Sequence, residues 1–346
     1  MLRSKVQLLA AGVSILAINA AAPVLAAVEH RQDQGKYQNG TTNIYDVPDP
    51  AFPADPGPPP VGPDTHGEIF IDHAGAAAAG NADATVSTDT GATPANNPGE
   101  IHQDAFGGAS PSNTINVNSL LTIHAVADAT GSIAEADAIF NNGANGIAQH
   151  AGASTAGSAN NDLNVATDTA IATANAGIDI IARASAQATV GNASADASIT
   201  QGAVEQQIFS GATGRNEVQN DGVINIFVDA DAVSDNGNAA ATANLDGYGV
   251  GQYVVADHAE NAVLNSNTHE INVNVTANAT ADEGVANAQA SLEIGVGQWA
   301  IGSSFANGTI DNSGEINVTA AAVAHGNEAI ASATMGFGSG TGLNRE

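Results

Sequence analysis

The side chains best suited to chemistry in this sequence are its carboxylates. Thirty-six Asp and Glu stand against seven Lys and Arg over 346 residues, a formal net charge of −29. Asp229, Asp231 and Asp235 fall on the outward side of one apolar-alternating run and its turn, and Asp282 and Glu283 occupy the equivalent turn one repeat later. Calcium takes several hard oxygens as ligands, so these five residues form the candidate cation site. A solvated acidic face is the default reading of such residues, and the Gly-Gly-x-Gly-x-Asp signature of calcium-binding β-rolls does not occur.

Other constellations are weaker. His73, His102, His124, His150, His258, His269 and His325 are dispersed over turns and strand ends, with no His-Glu-x-x-His spacing. There is no cysteine nucleophile and no Gly-x-Ser-x-Gly elbow, and Gly249-Val250-Gly251 lacks the helix that a nucleotide loop requires. Thr167-Asp168-Thr169 offers outward threonines of the kind used against ice, but such rows do not recur from repeat to repeat. An enzyme acting on polysaccharide would need a charged cluster in a cleft built by an insertion. The one sizeable insertion, around residues 155–174, contains Asp162 and Asp168 and no Lys, Arg or His. No catalytic activity and no cofactor other than calcium is therefore expected. The charge balance opposes nucleic acid, because binding there depends on basic residues that displace counterions from phosphate.

Three zones must position these residues. Residues 1–27 read as a secretory signal peptide: Arg3 and Lys5 precede the apolar run from Leu8 to Ile18, and Ala22-Pro23-Val24-Leu25-Ala26-Ala27 supplies small residues for cleavage. Its removal takes two basic residues and no acidic one, leaving the chain more acidic. Residues 28–66 read as an irregular leader, since eight of the 12 prolines lie between Asp46 and Asp64. Residues 67–346 are repetitive. A secreted chain without cysteine has no disulfides, so its stability must come from repetition, packing or a metal.

Two landmarks set the repeat. The strand starts Leu121, Ile178 and Ile224 precede Gln149, Gln206 and Gln252 by 28 residues each, and Ile271 precedes Gln298 by 27. From glutamine to the next start, Gln103 to Leu121, Gln206 to Ile224 and Gln298 to Ile316 are each 18 residues, and Gln252 to Ile271 is 19. Gln149 to Ile178 is 29, an excess of 11 that locates the insertion. The period is about 46 residues, repeated about five times with a partial last copy. A looser first copy begins at Gly67, and Thr90 to Pro94 reads as an extended turn.

Alanine favours helix, yet the period here is that of a strand. Ile224, Ile226, Val228, Ala230 and Ala232 alternate with Asn225, Phe227, Asp229 and Asp231, and turns such as Asp235-Asn236-Gly237-Asn238 punctuate the runs. Three strand segments per repeat, arranged as two coils of about 23 residues, predict an all-β solenoid with a narrow alanine core. Tandem β-hairpins or a β-sandwich are the alternative, and would call for larger inward side chains.

The passages Asn220-Asp221-Gly222-Val223-Ile224-Asn225-Ile226 and Asn312-Ser313-Gly314-Glu315-Ile316-Asn317-Val318, each continuing into alternating Val or Ala behind a signal peptide, resemble the β-helical passenger regions of Gram-negative autotransporter and adhesin-like surface proteins. The likeness covers roughly residues 67–346. It implies an exported chain, extracellular or on the cell surface, forming a stalk or adhesive face. Its partners would be cell-surface or polysaccharide ligands, or further copies of itself. Those proteins end in a membrane barrel with an aromatic girdle, which the residues after Gly326 do not supply, so outer-membrane attachment would need a further region. Gln206, Gln252 and Gln298 with Asn216, Asn261 and Asn307 also resemble, more weakly, the layout of curlin-type amyloid subunits, which implies a self-assembling fibre as the second functional expectation.

Overall fold

The computed structural model of the chain describes residues 30–31, 36–40, 42–47, 69–78, 81–87, 99–140, 145–154, 156–166 and 176–336. The expected signal peptide, the proline-rich stretch, the turn at residues 90–94 and Asp168 lie outside the described residues. Every regular element among the described residues is a β-strand, and the strands stack in parallel. The fold is a β-solenoid, as the alternation of small apolar residues requires.

One repeat makes one coil. Val223–Ser234 pairs in register with Glu270–Ala281, Ile224 facing Ile271, and farther along the same coil Gln252 faces Gln298. The expectation of two coils of about 23 residues is corrected: the circuit closes only after the full repeat. The cause is a fourth strand. The alanine-rich run bends before it reaches the glutamine, so a coil comprises Val223–Ser234, residues 239–245, residues 248–256 and residues 258–265.

These four strands form two arms. The tight turn at residues 235–238 folds the second strand back across the first, and their inward faces are almost all alanine: Ala182, Ala184 and Ala186 on the first, Ala193, Ala195 and Ala197 on the second, each essentially excluded from solvent. Side chains this small let the two sheets approach closely, so few aromatics are needed. Where the arms meet, the core widens and takes Leu121, Phe140, Ile147, Leu163, Ile178, Ile180 and Ile199. The third and fourth strands make the other arm, with Ile208, Val254, Ala105, Ala151 and Ala259 packed at its tip.

Two further boundaries move. Within residues 28–66, Lys36–Gly40 pairs with Gly99–Phe106 and Thr42–Val47 pairs with Ser112–Val117, so part of the expected leader supplies third and fourth strands. Gln38 and Asn43 take the register positions of Gln103 and Asn113, the signal that places them there. The insertion is divided by a strand. Ser158–Val165 is a regular fourth strand, two of the 11 extra residues precede it between Gly152 and Ser158, and nine follow it between Val165 and Gly177. Among the described residues, seven first strands at about 4.8 Å give a stack roughly 29 Å tall, whereas a strand of 12 residues is about 40 Å long, so the described stack is broader than it is tall.

Candidate functional site

The third and fourth strands carry polar residues inward, and these are spent between coils. Gln149 Nε2 donates to Gln103 Oε1 at 2.9 Å, Gln206 to Gln149 at 2.8 Å, Gln252 to Gln206 at 2.8 Å and Gln298 to Gln252 at 2.7 Å. The second hydrogen of each amide crosses the arm to a backbone carbonyl, as from Gln206 to Glu217 at 2.9 Å. An asparagine ladder faces it and runs the other way: Asn113 Nδ2 donates to Asn161 Oδ1, Asn161 to Asn216 and Asn216 to Asn261, at 2.9 to 3.0 Å. Buried amides are tolerated only when satisfied, and stacking identical ones satisfies all but the ends.

The repeat positions Gln103, Gln149, Gln206, Gln252 and Gln298 are thus one continuous ladder, and Leu121, Ile178, Ile224, Ile271 and Ile316 one apolar column. Asn307 is not the next rung after Asn261. Gly308 faces Asn261, while Asn307 bonds to Thr309 on the surface. One residue of offset turns a side chain to the opposite face of a strand.

The outward side of the third strand holds a cavity of about 280 Å³. Glu205, Gln207, Tyr248, Tyr253 and Trp299 line it, contributed by three successive coils. Gln207, Tyr253 and Trp299 share one register row and Glu205, Gly251 and Gly297 the next. The glycines shape the walls: a Cβ on Gly251 would lie 2.2 Å from the Tyr248 ring, and one on Gly297 would lie 2.5 Å from the Trp299 ring. Both rings can therefore lie down over bare backbone. Tyr248 is turned outward by a register shift after Leu245, where Gly247 adopts φ +105° with its would-be Cβ only 1.8 Å from the Gln201 carbonyl oxygen. That conformation and that closeness admit only glycine.

The Tyr248 and Trp299 ring centroids are 5.9 Å apart, with planes tilted by 54°. Phe209 extends the cluster, 5.7 Å from Tyr253. Glu205 is 5% exposed beneath these rings, where Gln207 Nε2 donates to its carboxylate. Burial, then the charge of Glu205 and a hydrogen bond with it, push the Tyr248 phenol well above its ordinary 10.0, against a smaller opposing pull from Gln207. Tyr248 is a neutral phenol at physiological pH.

The candidate calcium residues are arranged differently. Asp229 and Asp231 project from one strand, and Arg183 on the preceding coil lies 3.9 Å from Asp229. Burial raises the pKa of both, the charge of Asp229 raises that of Asp231 further, and Arg183 opposes the shift in each. Asp235 and Asp282 sit in successive turns, each donating its backbone N–H to the coil before. Among the described residues no group of three or more His, Asp or Glu is placed to hold a metal. Asp162 stands beside Arg215 at 3.9 Å, its pKa raised by burial against the pull of that guanidinium. Of the histidines, His150 lies 3.5 Å from Asp104 and His258 stacks near Phe305.

The aromatic pocket was not anticipated from the sequence. Its signal was nevertheless present: the residues directly after the landmark glutamines are Gln207, Tyr253 and Trp299, and those directly before the last two are Gly251 and Gly297. No family model, curated protein or solved structure matches the chain.

Proposed function

We propose that this chain is a non-catalytic structural and adhesive module of the bacterial exterior, presenting an acidic β-solenoid to cell-surface or polysaccharide partners. One observation carries the reading. Inward positions repeat the same residue from coil to coil, whereas the outward row beside them changes from Asp104 to His150, Gln207, Tyr253 and Trp299. The scaffold is constant and the displayed surface varies, which is the pattern of a display protein. The signal-like start supports an exported setting. The test is retention of purified chain on intact Gram-negative cells and on immobilised capsular polysaccharide. Saturable retention on either is expected, and none on both contradicts the reading.

Self-assembly is favoured by a separate observation. Residues 294–312, Glu315–His325 and Glu328–Met335 have no neighbour on their outer edge among the described residues. Ile301, Phe305, Ile310 and Ile330 are about half exposed along this end. Open parallel edges are templates for further strands. Sedimentation with thioflavin binding separates this reading: growing species support it, and a monomer at every concentration overturns it.

A further inference from the structure

We propose that the cavity walled by Tyr248, Tyr253 and Trp299 over Glu205 binds an organic cation, specifically a quaternary ammonium head group. This deepens the display reading by naming the chemistry that one displayed site would take.

Four features point to a cation. First, three aromatic side chains line a single cavity in a chain that is only 4% aromatic, and they include its one tryptophan. Ring faces carry negative potential and attract a cation held within about 6 Å. Secondly, the tilt of 54° between Tyr248 and Trp299 makes a wedge and not a flat platform, which suits a rounded head group better than a sugar ring laid face down. Thirdly, the one formal charge in the lining is the Glu205 carboxylate. The Gln206 and Gln252 amides at the floor are engaged in the ladder, and Glu205 itself accepts from Gln207 and Tyr248. A sugar needs several donors and acceptors, whereas a methylated ammonium needs none and gains from a nearby carboxylate. Fourthly, the surroundings are acidic: Asp246 and Glu293 lie one coil apart just ahead of Tyr248 and Ile294, and the charge of Glu293 raises the pKa of Asp246 after the larger effect of burial. A field of this sign concentrates cations at the mouth.

The size agrees. A cavity of about 280 Å³ lies at the small end of ligand sites, which matches a head group and not a whole oligosaccharide. Methylation matters because the walls are largely apolar, and a primary ammonium would forfeit its strong hydration on entering.

The sole tryptophan makes the test specific, since intrinsic tryptophan fluorescence reports Trp299 alone. Choline is titrated into the full chain beside 3,3-dimethylbutan-1-ol, its neutral isostere. Saturable change with choline and none with the isostere is expected. Calorimetry on Glu205→Gln and Tyr253→Leu, each confirmed folded by its melting curve, should show binding about tenfold weaker or more. Equal response to both compounds, no response to choline, or undiminished choline binding by both folded variants overturns the proposal. A response to neutral disaccharides in place of choline overturns it in favour of a saccharide site. Retention on cells and polysaccharide is measured separately: choline binding without retention would sink the display reading alone, and retention without choline binding would sink this one alone.

Discussion

Along the arm made by the first and second strands, the inward side chains Ala125, Ala127 and Ala129 face Ala134, Ala136 and Ala138 and make only dispersion contacts. Along the arm made by the third and fourth strands, Gln149 and Asn161 take the equivalent inward places and are each hydrogen-bonded to the coils on both sides. Both arms are buried, yet they differ in what they specify. Sliding an alanine column by two residues puts alanine over alanine again. The same slip in the amide arm strips buried donors and acceptors of their partners. The inward alanine positions of one arm therefore encode register weakly, where the outward Asn225, Asn272 and Asn317 amides help to hold it, and the inward amides of the other arm encode it strongly. The variable pocket is mounted on the arm whose inward register is fixed.

The largest way to break this contrast is Gln206→Leu. It removes the bonds to Gln149 Oε1 and the Glu217 carbonyl and leaves Gln252 Nε2 without its ladder acceptor. At about 1–3 kcal/mol for each buried group left unpaired, the loss should be about 3–5 kcal/mol in urea unfolding. A loss below about 1 kcal/mol would mean that the ladder contributes little.

Ala230→Leu should cost less, about 1–3 kcal/mol by overpacking, with the cooperativity of unfolding retained because no polar group is orphaned. A cost equal to that of Gln206→Leu would erase the distinction between the arms.

The acidic surface gives a smaller and graded effect. Asp162, Asp196, Asp229, Asp231 and Asp246 all have pKa values raised above the ordinary 3.8, chiefly by burial. The folded state therefore holds these protons more tightly than the unfolded chain. Stability should rise as pH falls through the raised values and be lost again as pH rises through them, becoming level near neutrality. Urea midpoints measured from neutral pH down to just above the sequence pI of about 4.1 should increase, and Asp231→Asn should flatten the trend. Midpoints that fall over this range contradict the assignment.

Asn307→Ala should change stability by no more than about 0.5 kcal/mol, since its amide is on the surface. Asn261→Ala, which removes a buried rung, should cost several times more. Equal effects would restore Asn307 to the ladder.

What could be read from the sequence follows from the same contrast. The period and the glutamine register were legible because a ladder demands one residue type at one position in every coil, and such identity survives inspection. Coil length is obscured because the bend signal does not recur: Asp246-Gly247 marks it in one coil, while Thr200-Gln201 and Glu293 take that place in its neighbours, so two strands look like one. Asn307 was misassigned because an asparagine one residue off register looks the same in a one-dimensional pattern. Gln38 and Asn43 were hidden beside the prolines of the expected leader. The pocket is hidden for a different reason. Glu205 and Gln207 come from one coil, Tyr248 and Tyr253 from the next and Trp299 from a third, so no single repeat contains it.

The central claim is that one repeat closes one coil, with Gln206 directly beneath Gln252. It is tested most directly by nuclear Overhauser contacts of the Gln206 side-chain amide in isotopically labelled protein. The ladder predicts a strong contact with the Gln252 amide, 46 residues away and hydrogen-bonded at 2.8 Å. Coils of half that length would instead bring Gln206 against Asp229, and a contact there with none to Gln252 would contradict the fold described.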